Sequence, residues 1–149
     1  MPNSEPAQQS GYPAGIGRRL GAALYDALLI IAIWMLTLFV WISSGEGEAV
    51  SGWYVQMVLG LEWAAFYAYA WHRGGQTLGM RAWRIYLVNE DGVPPRLGSI
   101  FVRLLVAPLS VAVLGGGYLW MYTNDRRQTW HDALSNTLVV HVPKEKKSS

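Results

Sequence analysis

Two carboxylates lie inside long apolar runs of the sequence, where an isolated charge is costly. Asp26 is the one charged residue in the run Leu20–Ile42, and Glu62 is the one charged residue in the run Trp53–Trp71. Placing an ionised aspartate at the centre of a bilayer helix costs about 2.5–3.5 kcal/mol on insertion scales. Each carboxylate therefore needs a partner, or it binds a proton or a cation as one step of a transport cycle.

The candidate partners of Asp26 are arginines at two places in the chain. Arg19 lies seven residues before Asp26, which is two helical turns away on the same face. Arg126 and Arg127 lie near the C-terminus, and Asp132 follows that basic pair. One hypothesis is an ion-pair clamp that joins the first apolar run to the C-terminal segment. The other hypothesis is that Asp26 binds a proton or a cation in transit.

Glu62 lies close to the middle of the second apolar run, and two residues of the first run are candidates to hydrogen-bond it. These are Tyr25 and Thr37. As a functional group, Glu62 would be a second proton carrier. As a structural group, it would make a hydrogen bond between two helices. The sequence leaves both interpretations open.

Other kinds of chemistry lack the residues that they need. The chain has no cysteine, which excludes disulfides, thiolate nucleophiles and cysteine metal sites. Its three histidines have no ligand spacing, so we expect no zinc site. Gly115–Gly117 is not followed by the Lys-Ser or Lys-Thr of a phosphate-binding loop. We therefore expect no enzyme activity, no cofactor and no nucleic-acid partner.

The apolar runs predict an all-α membrane bundle in one domain. At 149 residues the chain has room for one domain, and 52% of it is hydrophobic. The run Leu20–Ile42 spans about 34 Å at about 1.5 Å per residue, enough to cross a hydrocarbon core of about 30 Å. The run Trp53–Trp71 is predicted to be a second full span, with aromatic residues at both ends as in interfacial belts.

A basic start followed by an apolar run is also the pattern of a signal peptide. The apolar core of a signal peptide has about 7–15 residues, whereas Ala27–Ile42 alone is longer. The sequence therefore predicts that the first run is an uncleaved anchor in the membrane.

A small pair of strands is predicted beside the bundle, at the cytoplasmic membrane surface. Trp83–Val88 alternates imperfectly between two faces, and Thr137–Val142 is rich in β-branched residues. We predict that these segments pair like a β-hairpin. An isolated two-stranded sheet is marginal in water, so this pair needs an apolar surface to rest on.

The third apolar region, Leu97–Tyr122, is interrupted. It contains Arg103, Pro108 and the triplet Gly115–Gly117. Its first part has an apolar face and a polar face, which suits a helix that starts at the membrane surface and then turns inward. We expect Pro108 and the glycine triplet to break this region into a helical hairpin or a re-entrant segment.

The distribution of basic residues predicts the orientation of the chain. All twelve Lys and Arg residues lie outside the interval between Leu20 and His72. Since short cytoplasmic loops collect basic residues, we place the N-terminus and residues 72–96 in the cytoplasm. The C-terminal segment is basic as well, so the third region must return to the side from which it came. The expected layout is a flexible tail over residues 1–15, a membrane domain over 16–142 and a basic tail over 143–149.

Three short blocks resemble the RDD family, bacterial membrane proteins named for one arginine and two aspartates. The blocks are GRRL (17–20) with LYD (24–26), then GQTLG (75–79), then DRRQTWHD (125–132). The resemblance covers about Gly15–Val142. It implies that the family's arginine is Arg19, with Arg18 as the other choice, and that its aspartates are Asp26 and Asp132. Members often have a basic residue directly after the second block, where this chain has Met80 followed by Arg81.

The resemblance implies the membrane architecture more than any activity. The family is mostly uncharacterised, and a transport role has been suggested for it, with sodium–proton exchange in some members. We predict a small inner-membrane protein that transports or exchanges a small cation, as an oligomer because a few short helices scarcely enclose a path. The alternative is a non-transporting scaffold or accessory subunit. The predicted functional cluster is Arg19, Asp26 and Asp132, with Glu62, Arg126 and Arg127 as secondary candidates.

Overall fold

A computed structural model describes residues 11–45, 52–112, 119–125 and 128–143 of the chain. In this part of the chain, two long helices extend from a small sheet. The helices are α1 (Ile16–Ser44), α2 (Trp53–Gly74), α3 (Leu78–Ala82), α4 (Leu97–Ala112) and α5 (Trp130–Leu134), with a 3₁₀ turn at Trp120–Tyr122. The strands are β1 (Tyr12–Pro13), β2 (Ile85–Asn89) and β3 (Thr137–His141).

The sheet has the strand order β1–β3–β2, and both pairs are antiparallel. The predicted pairing of the two longer strands is confirmed, with Ile85 opposite His141 and Asn89 opposite Thr137. β2 begins two residues later than the sequence predicts. The reason is that Arg84 has a positive φ of 53°, which places a left-handed turn between α3 and the strand.

β1 is a third strand that the sequence does not predict. A flexible tail is predicted over residues 1–15, and this prediction is wrong for Tyr12 and Pro13, which pair with β3. The Ala14 amide then donates to the Val139 carbonyl at 2.9 Å. A proline is tolerated in such an edge strand because its missing N–H need not face the neighbouring strand. Residues 1–10 lie outside the described residues.

α1 is the long apolar helix of the fold. It has 29 residues, and most of its large apolar side chains are exposed, among them Leu28, Leu36 and Phe39. Among the described residues it is the one helix that is long and apolar enough to cross a membrane. It begins at Ile16, so Arg19 lies in its first turn instead of preceding the helix.

α2 forms where the sequence predicts the second span, but it is less apolar than α1. It has 22 residues, with Gln56 and Glu62 along its length and His72 and Arg73 in its last turn. Its composition falls short of that of a membrane span. Within the described part of the chain, α1 alone is long and apolar enough to cross a membrane, and the predicted bundle of two spans stays a prediction.

α4 covers the first part of the third apolar region. The predicted break at Pro108 is wrong, because the helix continues to Ala112 with the loss of one backbone donor. The other predicted break, Gly115–Gly117, lies outside the described residues. The chain returns to the sheet, since β3 pairs with β1, which precedes α1, and with β2, which follows α2. The first and last described strands therefore lie at the same end of the molecule.

The core lies where the sheet meets α1, α2 and α4. Buried side chains from each element meet there, including Ile85 and Leu87 of β2, Val139 of β3, Trp71 of α2 and Ile100 of α4. Full burial of an aliphatic or aromatic side chain stabilises a fold by about 1.5–3 kcal/mol. This core is the apolar surface on which the small sheet rests, and it fixes the helix ends that carry the charged residues.

Candidate functional site

Asp132 lies in the first turn of α5, and the sequence around it forms an N-terminal capping box. The side chain of Thr129 accepts a hydrogen bond from the Asp132 amide, and the Asp132 carboxylate accepts one from the Thr129 amide at 3.2 Å. This reciprocal pair fixes the position of the carboxylate on the backbone. Asp132 has no exposed surface, and a buried charge of this kind must be paired.

Two arginines from different helices pair with that carboxylate. Arg19 of α1 donates to Oδ2 of Asp132, and Arg103 of α4 donates to Oδ1. Both arginines are themselves buried, at 6% exposure each. Arg19, Arg103 and Asp132 are called the arginine–aspartate cluster below. A single carboxylate thereby joins α1, α4 and α5.

Each arginine makes further contacts that fix its guanidinium group. Arg19 Nε donates to the Ala14 carbonyl at 3.0 Å, which ties the arginine to the chain just after β1. Arg103 Nη1 donates to Thr137 Oγ1 at 2.9 Å, which ties it to β3. A buried ion pair is stable only when additional hydrogen bonds satisfy the charged groups. These contacts meet that condition for both arginines.

The arginines determine the charge state of the cluster. Burial would raise the pKa of Asp132, but Arg103 and Arg19 outweigh burial and hold that pKa well below its ordinary value. Burial lowers the pKa of the neighbouring His131 to about 3, and the positive charge of Arg103 adds to this effect. Asp132 is therefore ionised and His131 neutral near pH 7, and the three residues of the cluster carry one net positive charge.

Asp26 lies apart from the arginine–aspartate cluster, in the contact between α1 and α3. Thr77 Oγ1 donates to one carboxylate oxygen at 2.5 Å, and the Gly79 amide donates to the other at 2.9 Å. Thr77 also caps α3 by accepting from the Met80 amide. Asp26 is 1% exposed. In the described part of the chain, its hydrogen-bonding partners are neutral groups.

The three residues of the predicted cluster are therefore only partly together. Arg19 binds Asp132, whereas Asp26 has no arginine partner among the described residues. Of the two arginines that the sequence offers for the family position, Arg18 contacts the His141 ring instead, at 3.1 Å. The secondary candidates Arg126 and Arg127 lie outside the described residues.

Arg103 is the residue of the cluster that the sequence does not predict. Its place on the polar face of α4 suggests a side chain at the membrane surface, but Arg103 is buried and binds Asp132. Like Asp26, Arg103 is a lone charge in an apolar stretch, and this pattern could have indicated its role. Thr77 and Gly79 belong to the second family-like block, but their residue types do not point to a carboxylate.

The sequence offers Tyr25 and Thr37 as candidate hydrogen-bond partners of Glu62, and the structure contains the bond to Thr37. Thr37 Oγ1 donates to Glu62 Oε1 at 2.6 Å, which joins the C-terminal half of α1 to the middle of α2. The other oxygen, Oε2, is buried and has no hydrogen-bond partner in the described structure. The interhelical hydrogen bond is therefore present, and proton carriage by Glu62 stays a prediction.

A cavity of about 820 Å³ lies between α1, α2 and α4. Its walls are mostly apolar and aromatic, with Trp34 and Trp63 toward one end. Asp26 and Arg103 lie in its wall as well. Met80 also lines this space, so the chain has an apolar side chain where the family resemblance implies a basic one. This space is called the interhelical cavity below.

Acidification is expected to destabilise the fold through His131. Its pKa is about 3 in the folded chain against an ordinary value of 6.5, so between these values the unfolded chain binds a proton that the folded chain does not. Stability is therefore lost as the pH falls below 6.5, by about 2 kcal/mol at about pH 5. His131→Gln should flatten this dependence in melting curves recorded between about pH 8 and pH 5.

The matched control for this prediction is His72→Gln, because His72 is exposed at the end of α2. That variant should keep the pH dependence of the natural chain. Asp132 adds a separate loss of stability at lower pH, below its ordinary pKa of 3.8, because its folded-state pKa is depressed. Equal slopes above pH 5 for His131→Gln and the natural chain would contradict a neutral, buried His131.

Comparisons with known proteins identify the family of this chain. No solved structure was found that matches it. An uncharacterised protein of Bacillus subtilis (strain 168), YckC, is 27% identical over 135 residues, which are 87% of this chain and 85% of that relative. The model of the RDD family matches residues 13–136, a stretch that contains Asp26 and the whole arginine–aspartate cluster. Together with the long apolar helix α1, this match indicates a membrane protein, and the chain belongs to the RDD family.

Proposed function

We propose that this chain is a multi-pass protein of the bacterial cytoplasmic membrane that transports or exchanges a small cation, with Asp26 as the group that binds the cation or a proton. The observation that carries this proposal is the contrast between the two family aspartates. Asp132 is paired with two arginines, whereas Asp26 meets only neutral donors in the described part of the chain.

No hydrogen-bond partner of Asp26 in the described part of the chain would offset the charge of its ionised form. The hydroxyl of Thr77 and the amide of Gly79 solvate the carboxylate, but neither carries a positive charge. An isolated charge in a low-dielectric interior is costly, so a buried carboxylate of this kind takes up a proton or draws in a cation. Asp26 also lines the interhelical cavity, which gives such an ion a route to it.

The arginine–aspartate cluster, unlike Asp26, is not suited to bind a cation. Two guanidinium groups pair with the single carboxylate of Asp132, and the net positive charge of the cluster repels a cation. In the described part of the chain, no group of three or more His, Asp or Glu side chains is placed to hold a metal ion. We therefore assign the cluster the role of a clamp that holds α1, α4 and α5 together.

The proposed orientation places the sheet in the cytoplasm, with α1 and α2 both crossing the bilayer. The interval between Leu20 and His72 contains no Lys or Arg, which favours an external loop between the two helices. α2 would span about 33 Å, enough for a hydrocarbon core of about 30 Å. The pairing of β3 with both β1 and β2 favours a C-terminal segment on the same side as the N-terminus.

The proposal includes assembly of several copies. One copy has few helices with which to enclose a path, and the exposed apolar side chains of α1 are available to another copy or to lipid. The competing proposal is a non-transporting scaffold or an accessory subunit of a larger membrane complex. These two proposals differ in one measurable property, which is cation flux by the purified chain.

The test is a flux assay on proteoliposomes of the full chain with a pH-sensitive dye inside. Addition of Na⁺ or K⁺ outside should change the internal pH with the natural chain. Asp26→Asn should reduce this change to that of protein-free vesicles, because an amide binds a proton and a cation far less well than a carboxylate does. Asp125→Asn is the matched control, since Asp125 is exposed and does not line the interhelical cavity.

Orientation and folding are checked with the same variants. Because the chain has no cysteine, an impermeant maleimide on intact cells should label Ser44→Cys if the α1–α2 loop is external. Natural flux by a folded Asp26→Asn protein would contradict the role of Asp26. Absence of flux with the natural chain, together with a partner that stays bound in mild detergent, would favour the scaffold.

A further inference from the structure

The interhelical cavity has the dimensions of an acyl chain, not those of an ion path alone. Along α1 its lining extends from Arg19 to Trp34, a length of about 22 Å at the helical rise. One leaflet of a hydrocarbon core of about 30 Å is about 15 Å deep. A volume of about 820 Å³ is within the range of pockets that enclose whole organic ligands.

One end of the cavity has hydrogen-bond donors that the described residues do not use. Trp71 lines the cavity and is 7% exposed, and its buried indole Nε1–H has no acceptor in the described structure. A buried donor without an acceptor costs about 1–3 kcal/mol. Because Trp71 lines the cavity, its unused donor is a candidate partner for a ligand with an acceptor group.

Arg103 supplies further donors at the same place. Its guanidinium lies 5.3 Å from the centre of the Trp71 ring, and both of its hydrogen bonds to the protein come from Nη1. A guanidinium has five N–H groups, so Nε and Nη2 keep the capacity to donate. Planar guanidinium groups bind phosphate and carboxylate oxygens particularly well.

The charge at this end also favours an anion. The arginine–aspartate cluster carries one net positive charge, and the neighbouring His131 is neutral. The acidic residue of the same wall, Asp26, lies about 10 Å from Arg19 along α1, about midway toward Trp34 and away from the sheet end. The donors that remain at the sheet end of the cavity therefore suit an anionic acceptor.

We propose that the interhelical cavity binds an anionic phospholipid from the surrounding bilayer. Its head-group phosphate accepts hydrogen bonds from the Trp71 indole N–H and the Arg103 guanidinium, and one acyl chain lies along the apolar wall toward Trp34. The apolar wall requires a ligand with a long apolar part, which a free phosphate lacks. This inference goes beyond cation transport, and it depends on α1 and α2 lying in the bilayer as proposed above.

The test measures which lipid stays on the purified full-length chain. The protein is exchanged into mild detergent with equal amounts of phosphatidylglycerol and phosphatidylcholine that have identical acyl chains, and bound lipid is counted by native mass spectrometry. Phosphatidylglycerol should be retained in excess. Trp71→Phe keeps the ring but removes the N–H, and the loss of one hydrogen bond to a charged group should lower retention about tenfold.

Two further variants separate the acyl-chain site from the fold. Gly60 lines the cavity, and a side chain built there meets no atom within 4 Å. Gly60→Leu should therefore fill the space and lower the retention of both lipids. Gly98→Leu is the matched control, because Gly98 is equally open but does not line the cavity. The melting temperature of Trp71→Phe should match that of the natural chain, since the N–H has no protein acceptor to lose.

Three results would overturn the lipid assignment. The first is equal retention of the two lipids, and the second is unchanged retention in a folded Trp71→Phe protein. The third is displacement of phosphatidylglycerol by inorganic phosphate at comparable concentration, which would assign the donors to a soluble anion. None of these readouts uses cation flux, so failure here and failure of the proposed transport are distinguishable.

Discussion

Asp132→Asn is expected to lower the free energy of unfolding by about 3–5 kcal/mol, the cost of removing one partner of a buried ion pair. The amide keeps the shape of the side chain but not its charge. Arg19 and Arg103 would then remain buried, at 6% exposure each, without their common carboxylate. A loss of this size is a large part of the stability of an ordinary domain, about 5–15 kcal/mol.

The measurement is unfolding in mixed micelles by titration with a denaturing detergent, followed by circular dichroism. Asp125→Asn removes the same charge from an exposed carboxylate and should change stability by less than about 0.5 kcal/mol. If Asp132→Asn unfolded at the same detergent fraction as Asp125→Asn, the cluster would not be the clamp proposed above.

Gly79→Ala is expected to destabilise the chain by about 1–3 kcal/mol through overpacking. A methyl group at this position would overlap the Ala22 carbonyl oxygen and would lie 2.9 Å from Asp26 Oδ1. Since backbone atoms of α1 cannot move aside cheaply, α3 must shift away from α1. The Gly79 amide would then lose its hydrogen bond to Asp26, and we expect cation flux to fall with stability.

Gly98→Ala is the matched control for this change. Gly98 lies in the first turn of α4, and an added methyl group meets nothing within 4 Å. Because alanine is the better helix former, by about 0.5–1 kcal/mol in a helix interior, this variant should be as stable as the natural chain or slightly more so. A Gly79→Ala protein as stable as Gly98→Ala would mean that the α1–α3 contact is looser than described.

The parts of the fold that follow from local pattern were predictable. A run of apolar residues with one charge predicts α1, and β-branched or alternating residues predict β2 and β3 and their pairing. β1 could not be predicted in this way, because two residues are too short to show a period. It forms because β3 offers it a free edge next to the start of α1.

Two contacts of the candidate site were predictable, namely the pair Arg19 and Asp132, from the clamp hypothesis and the family resemblance, and the hydrogen bond between Thr37 and Glu62. The partners of Asp26, Thr77 and Gly79, were not predictable from the sequence. Almost every residue has a backbone amide, and threonines are common, so neither donor is distinctive. Arg103 was visible as a charge in an apolar helix. The pairing of Arg103 with Asp132 depends on how α4 packs against α5, and no short sequence motif indicates this packing.

The arrangement of the arginine–aspartate cluster also has a consequence for biosynthesis. A ribosome completes Arg19 and Arg103 before it adds Asp132, because domains emerge from the N-terminus onward. Until Asp132 is made, the two guanidinium groups have no common counterion and must stay in contact with water or lipid head groups. The contact that joins α1 to α4 through Asp132 can therefore form only after α5 has been made.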